Sequence, residues 1–132
     1  MPQLVRAWLE SFDWEFVTEV NRGFCMQKGA LHKATSDGHD SARTLWEKSR
    51  SKKMSLPEAL RICQHCHRLA PFCFYNGNTF AAIARDFIPE ISSSVSPVQA
   101  HILRSIAGHI VAGTATDIEA EQLDEILKAL EK

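Results

Sequence analysis

The short segment CQHCH, residues 63–67, contains residue types that could do chemistry at a spacing that could support it. Two cysteines three positions apart, followed directly by a histidine, match the pattern that attaches a c-type haem. The same side chains are potential zinc ligands, because zinc accepts thiolate and imidazole, and a further cysteine follows shortly after the segment. The metal hypothesis therefore assigns a site to Cys63, Cys66, His67 and Cys73.

The sequence lacks part of what a zinc site needs and part of what attachment of a c-type haem needs. A structural zinc site usually adds a second Cys-x-x-Cys or His-x-x-x-His pair at a typical separation, and this chain lacks one. Attachment of a c-type haem belongs to an exported compartment, whereas the first residues carry acids where a signal peptide would have its apolar core. Metal or haem binding by residues 63–67 is therefore the alternative hypothesis and not the leading one.

Packing offers a different interpretation of the same segment. Ser55 followed by Pro57 and Glu58 forms a Ser-x-x-Glu capping box with proline in the first turn, which predicts a helix from about residue 56 to residue 70. At about 100° per residue, Cys63 and Cys66 share one side of this helix with its apolar residues. Free cysteine is among the most often buried residue types, so we expect two core thiols without a bound metal.

Sequence patterns of common catalytic sites are missing from the chain. It has no glycine-rich nucleotide-binding loop, no Gly-x-Ser-x-Gly and no His-Glu-x-x-His. We therefore expect a non-enzymatic protein without a cofactor, with zinc as the alternative that residues 63–67 leave open.

A basic stretch between the second and third predicted helices could contact phosphates. Its four cations fall within six positions, but residues 71–132 carry 8 acidic against 4 basic side chains and the net charge is −1. Because few counterions would be released, we expect nucleic-acid binding to be weak and salt-sensitive. The candidate contacts of this further alternative are Lys48, Arg50, Lys52 and Lys53.

Length and composition indicate one globular domain over residues 1–132. The chain is 45% hydrophobic and 23% charged, as is usual for a protein with a single core. No run of 18 apolar residues occurs, so no membrane association is expected. Without a recognisable export signal, a cytoplasmic location is the expectation.

Apolar residues recur at helical spacing, and strand signals are nearly absent, so we predict an all-α bundle of five to six helices. Serine or threonine before several of these segments predicts their first residues, as at Ser96 and Thr116. The predicted helices cover Leu4–Val20, a short segment around residues 40–49, residues 56–70, residues 79–88, Pro97–Ala112 and a final helix after Thr116.

The leading functional hypothesis is a protein-interaction or assembly module, whose partner is another protein or a second copy of the chain. In the predicted helix Leu4–Val20, an apolar stripe that includes Phe12, Phe16 and Val20 should face the core, which leaves Trp14 outside. An exposed tryptophan is a candidate partner contact. A second candidate surface is the small-residue side of Pro97–Ala112, which includes Gly108.

Overall fold

The structure of the protein, a computed structural model, describes residues 5–130 apart from the side chain of Ser92. Within that range it contains six α-helices, one 3₁₀ helix and no β-strand, so the predicted all-α bundle is confirmed. No helix in this part of the chain has the length and apolar character needed to cross a membrane. The helices are α1 (Trp14–Lys28), α2 (His39–Ser49), α3 (Leu56–Leu69), α4 (Asn76–Arg85), the 3₁₀ helix (Ile88–Ser94), α5 (Pro97–Ala112) and α6 (Asp117–Leu130).

Three helices begin where their capping residues predict. The hydroxyl oxygens of Ser55, Ser96 and Thr116 each accept a hydrogen bond from the backbone N–H three residues later, at 3.1–3.3 Å. These bonds satisfy N–H groups that have no partner inside the helix. At the other end of α5, Gly113 adopts φ 79°, a left-handed conformation that glycine reaches without a steric penalty. The predicted bounds of α5 are therefore confirmed.

Leu4 lies outside the described residues, but within them the predicted helix Leu4–Val20 is wrong at both ends, because residues 5–13 are not helical and the helix continues beyond Val20. Helix α1 begins at Trp14, where the Asp13 carboxylate accepts a hydrogen bond from the backbone N–H of Phe16 at 2.9 Å. It ends at Lys28, and Gly29 caps it with φ 66°. The preceding segment instead pairs with residues far along the chain, since the backbones of Arg6 and Met54 exchange hydrogen bonds of 3.0 and 3.1 Å.

Helix α4 starts three residues before its predicted position. The Asn76 side chain accepts a hydrogen bond from the backbone N–H of Phe72 at 2.9 Å and donates one to the Phe72 carbonyl at 2.7 Å. These two hydrogen bonds close a turn directly before α4, and the helix begins at Asn76. The helix ends at Arg85, three residues before its predicted end, and a 3₁₀ helix follows before α5.

Helices α4 and α5 form the centre of the bundle. Helix α4 packs against α5, α3 and α1, while α5 also contacts α3, the 3₁₀ helix and α6. Helix α2 covers α3 and part of α1. All three tryptophans are buried, and the ring N–H groups of Trp8 and Trp46 donate to the backbone carbonyls of Met54 and Phe12 at 3.0 and 2.6 Å. The core thereby also fixes the segment before α1.

Candidate functional site

The two cysteines of residues 63–67 face the core, as predicted. Cys63 and Cys66 are both 0% exposed and lie on the same side of α3 as Leu56 and Leu60. Burial raises the pKa of Cys66 to about 12 and raises the pKa of Cys63 well above its usual range. Both side chains are therefore neutral thiols near pH 7, which is the protonation state that packs as a small apolar group.

His67 connects three helices instead of pointing to the cysteines. Its ring Nδ1–H donates to the backbone carbonyl of Val111 at 2.9 Å. Val111 lies in the last turn of α5, where carbonyl groups have no intrahelical partner. The ring also lies against Gly77 in the first turn of α4, because a Cβ atom added there would be 3.2 Å from the His67 Nε2 atom. These contacts give His67 a structural role at the end of α3.

The four proposed metal ligands do not form one group, although Cys63 and Cys66 are neighbours on the buried side of α3. Cys73 is exposed in the connection after α3, where its backbone N–H donates to the Lys33 carbonyl at 2.9 Å. Across residues 5–130, no three histidine, cysteine, aspartate or glutamate side chains are grouped so that they could hold a metal ion. The helix turns Cys63 and Cys66 into the core and His67 towards α5, so their closeness in sequence does not make a shared site.

The prediction that Trp14 is exposed is wrong. Trp14 is 7% exposed, its ring N–H donates to the Nε2 atom of His39 at 3.2 Å, and its ring stacks on that of Phe72 with centroids 5.9 Å apart. The error arose because the predicted helix included the non-helical residues 5–13, whose apolar side chains shifted the expected buried side. Trp14 belongs to the core, and the argument for it as a surface contact is lost.

Three of the four clustered cations lie on the surface, and the fourth has a structural partner. Lys48, Lys52 and Lys53 are exposed. The Arg50 guanidinium instead pairs with the Glu47 carboxylate at 3.0 Å and donates to the backbone carbonyl of residue 10 at 2.9 Å. Arg50 thereby joins the end of α2 to the segment before α1, and it is less available to a phosphate than the sequence suggested.

A buried polar cluster lies where the sequence shows no motif. The Asn21 side chain is 0% exposed, and its amide N–H groups donate to the Phe74 carbonyl at 2.8 Å and to the Thr79 hydroxyl at 3.0 Å. Its carbonyl oxygen accepts from His32 Nδ1 at 2.9 Å and from the Cys25 thiol at 3.6 Å. The Asn21 amide thus joins α1 to the start of α4 and to the connection between α1 and α2.

Helix α1 carries a second row of apolar residues beside its buried side, and this row is partly open to solvent. The residues of α1 that are buried in the core are Trp14, Val17, Asn21 and Cys25. Phe16, Val20 and Phe24 follow one another at steps of four residues, so their side chains lie next to each other on a different side of the helix. Phe16 is 39% exposed, while Val20 and Phe24 are partly buried. We refer to these three residues as the outer face of α1.

Sequence reasoning missed this outer face because it assigned Phe16 to the core, whereas Val20, assigned in the same way, does pack against the core. Two local signals could have found it. Asp13 before Trp14 is a preferred N-cap residue, and Glu15 in the first turn suits the positive end of the helix dipole. Starting the helix at Trp14 separates the stripe that includes Val17 and Cys25 from the one that includes Phe16.

On the small-residue side of α5, Gly108 is buried and lies against α4. A Cβ atom added to Gly108 would lie 2.7 Å from the guanidinium of Arg85, so this glycine leaves room for a side chain of α4. His101, Ser105 and Ala112 are exposed.

Comparison of the chain with protein-family models, with curated proteins and with solved structures finds no match. Its function has to be inferred from its own residues and their arrangement.

Proposed function

We propose that this chain is a non-enzymatic protein-interaction module that contacts its partner through the outer face of α1. The observation that carries the proposal is the pair of apolar faces on this one helix. The inner face is buried in the core, whereas Phe16, Val20 and Phe24 remain partly open to solvent, with Val20 also packing against the core. A helix with apolar residues on more than one side is normally covered on each of them, so a partner would complete the burial.

The composition of the outer face suits a protein partner. Phe16 packs against the ring of Phe12 with centroids 5.4 Å apart, and so presents a supported aromatic surface. Aromatic side chains supply much of the binding energy in protein interfaces. Beside them, Glu19 and Arg22 form an exposed ion pair at 3.2 Å, which suits the polar rim of such a contact. A partner with a complementary apolar surface fits this face better than a nucleic acid does.

The partner is either a different protein or a second copy of the chain. Two copies could pair through the same face about a twofold axis, because an isologous contact needs one self-complementary surface. Sedimentation equilibrium of the purified protein distinguishes these cases. A dimer that is lost on Phe16→Glu identifies a second copy, and a monomer identifies a different protein.

A photo-crosslinking side chain placed at Phe16 tests the proposal directly. In the cells that produce this protein, we expect adducts with one or a few specific proteins, and we expect them to disappear when Phe24→Glu is added. The matched control carries the crosslinker at Thr44, an exposed position on α2. Equal adducts at both positions, or adducts that survive Phe24→Glu in a folded variant, would contradict the proposal.

A further inference from the structure

A cleft of about 490 Å³ lies between α3 and α6, with Ile110 of α5 among its lining residues. Apolar side chains line much of it, including Pro57 of α3 and Ala120, Leu123 and Leu127 of α6. Its volume falls in the range of about 300–1,000 Å³ that is usual for ligand pockets. The cleft does not include the outer face of α1.

The cleft has the shape of a groove between two helices. On α3 its lining residues are Pro57, Arg61 and Gln64, and on α6 they run from Ala120 to Leu127. Each wall therefore spans eight residues, or seven steps of about 1.5 Å along the helix axis, which gives about 10 Å or two helical turns. Helices α3 and α6 both pack on α5 but make no extensive contact with each other. An occupant of the groove would lie between two helices that both rest on α5.

The two walls carry opposite charges. Arg61 lies on the α3 wall, while Glu121 and Asp124 lie on the α6 wall. Asp124 pairs with Lys128 of its own helix at 3.0 Å, whereas neither Arg61 nor Glu121 forms an ion pair within residues 5–130. An occupant of the groove would therefore meet a positive charge on one side and a negative charge on the other.

We propose that this groove binds a helical segment of a partner protein. The segment presents apolar side chains at i, i+3 or i+4, and i+7 towards Ile110, Leu123 and Leu127, as in other helix-in-groove complexes. One edge of the segment is acidic and faces Arg61, and the other edge is basic and faces Glu121. The acidic wall disfavours a polyanion, and two turns of groove match the spacing of apolar residues on a helix.

Three synthetic peptides of about 18 residues, long enough to form a helix, test the proposal. They share one leucine stripe and differ at its edges, which are acidic and basic, acidic on both sides, or basic on both sides. Fluorescence anisotropy should show that the wild-type protein binds the mixed peptide most tightly, by roughly threefold for each exposed ion pair gained. A helix can lie in the groove in either direction, and reversing it exchanges its two edges. The mixed peptide can therefore adopt the direction in which both edges face an opposite charge, and the expected ranking of the three peptides depends only on the number of matched charges.

Charge-reversal variants then move the preference in predictable directions. Arg61→Glu makes both walls acidic and should favour the doubly basic peptide, and Glu121→Lys should favour the doubly acidic one. Arg43→Glu changes an exposed arginine on α2 in the same way and should leave the ranking unchanged. Ala120→Trp fills the groove from an exposed position and should weaken binding of all three peptides by roughly tenfold.

The proposal is overturned if no peptide binds, if the three bind alike, or if the ranking stays the same in Arg61→Glu. It is also overturned if Ala120→Trp, shown by circular dichroism to be folded, binds as the wild type does. These outcomes do not bear on the α1 proposal, because crosslinking through Phe16 uses a separate surface.

Discussion

The end of α3 and the junction of α1 with α4 both place cysteine and histidine side chains near the core, but they hold them differently. At the end of α3, Cys63 and Cys66 are buried as thiols, and His67 makes one hydrogen bond to α5. At the junction, the amide of Asn21 meets four polar partners, which include His32 and a thiol. Residues 63–67, which resemble a ligand motif, mainly pack against apolar side chains. The residues around Asn21 match no motif, and they form a hydrogen-bonded network.

The difference follows from what each group loses on leaving water. A thiol is a weak hydrogen-bonding group, so it can be buried among aliphatic side chains at little cost. An amide buried without partners loses about 1–3 kcal/mol, and it is therefore found with its donors and acceptors satisfied. Spacing in the sequence indicates which side chains could act together, whereas burial decides which of them need partners.

Replacing Asn21 by leucine should give the largest effect. The substitution leaves the Phe74 carbonyl and the His32 ring N–H without their buried partner, so we expect the free energy of unfolding to fall by about 3 kcal/mol. Urea unfolding followed by circular dichroism measures the change. Asn78→Leu, at an exposed position of α4, is the matched control and should stay within about 0.5 kcal/mol of the wild type. If Asn21→Leu and Asn78→Leu lowered the free energy of unfolding by similar amounts, the hydrogen bonds of Asn21 would not distinguish its region from the end of α3.

His67→Ala should have the next largest effect. It removes the hydrogen bond to Val111 and leaves space beside Gly77, so we expect a loss of about 1.5 kcal/mol. His65 is exposed on the same helix, and His65→Ala is the matched control with a change of about 0.5 kcal/mol or less. If His67→Ala lowered the free energy of unfolding only when zinc is present, His67 would instead be a zinc ligand.

Cys63→Ala should cost about 1 kcal/mol, as expected for truncation of a small buried side chain. Cys73→Ala, at an exposed position, should change the unfolding free energy little. If Cys63 were a zinc ligand, its loss would nearly abolish folding, because metal binding and folding share their free energy. Stoichiometric zinc in the wild-type protein, lost together with the fold in Cys63→Ala, would show that the packing interpretation is wrong.

The buried thiols should make the protein sensitive to alkaline pH. Burial raises the pKa of Cys66 from 9.0 to about 12, so the unfolded chain loses this proton at lower pH than the folded one does. The stabilisation is complete below about pH 9 and is lost as the pH rises towards 12. Between pH 8 and 10, the free energy of unfolding of Cys66→Ala should therefore fall by about 1 kcal/mol less than that of the wild type. Equal losses in urea unfolding at the two pH values would contradict a buried neutral thiol.

The smallest effect should be an acid sensitivity that comes from the α1–α4 junction. Burial, together with the nearby Arg22 charge, lowers the pKa of His32 below 6.5, and Glu19 opposes this shift in part. A lowered pKa contributes stability above pH 6.5 that is lost as the pH falls through the folded value. His32→Gln should therefore show a shallower fall in unfolding free energy below pH 6.5. An unchanged slope would mean that His32 is not coupled to folding.

Much of the fold could be predicted because its signals are local. The caps at Ser55, Ser96 and Thr116 act on N–H groups three residues away, so they operate in any chain that contains them. Once Ser55 defines the start of α3, the helical repeat places Cys63 and Cys66 inward without further information. The all-α bundle of five to six helices, the starts of α3, α5 and α6, and the inward thiols were therefore accessible from the amino-acid sequence alone.

What only the tertiary structure decided depends on pairs of residues distant in the chain. The backbones of Arg6 and Met54 pair across a long stretch of chain, α1 begins only at Trp14, and packing of α1 in the bundle buries Trp14 and leaves Phe16 exposed. The partner of His67, at the end of α5, and the groove between α3 and α6 exist only when separate helices meet on α5. Local periodicity contains no information about these contacts, because each forms only after the bundle has brought its two sides together.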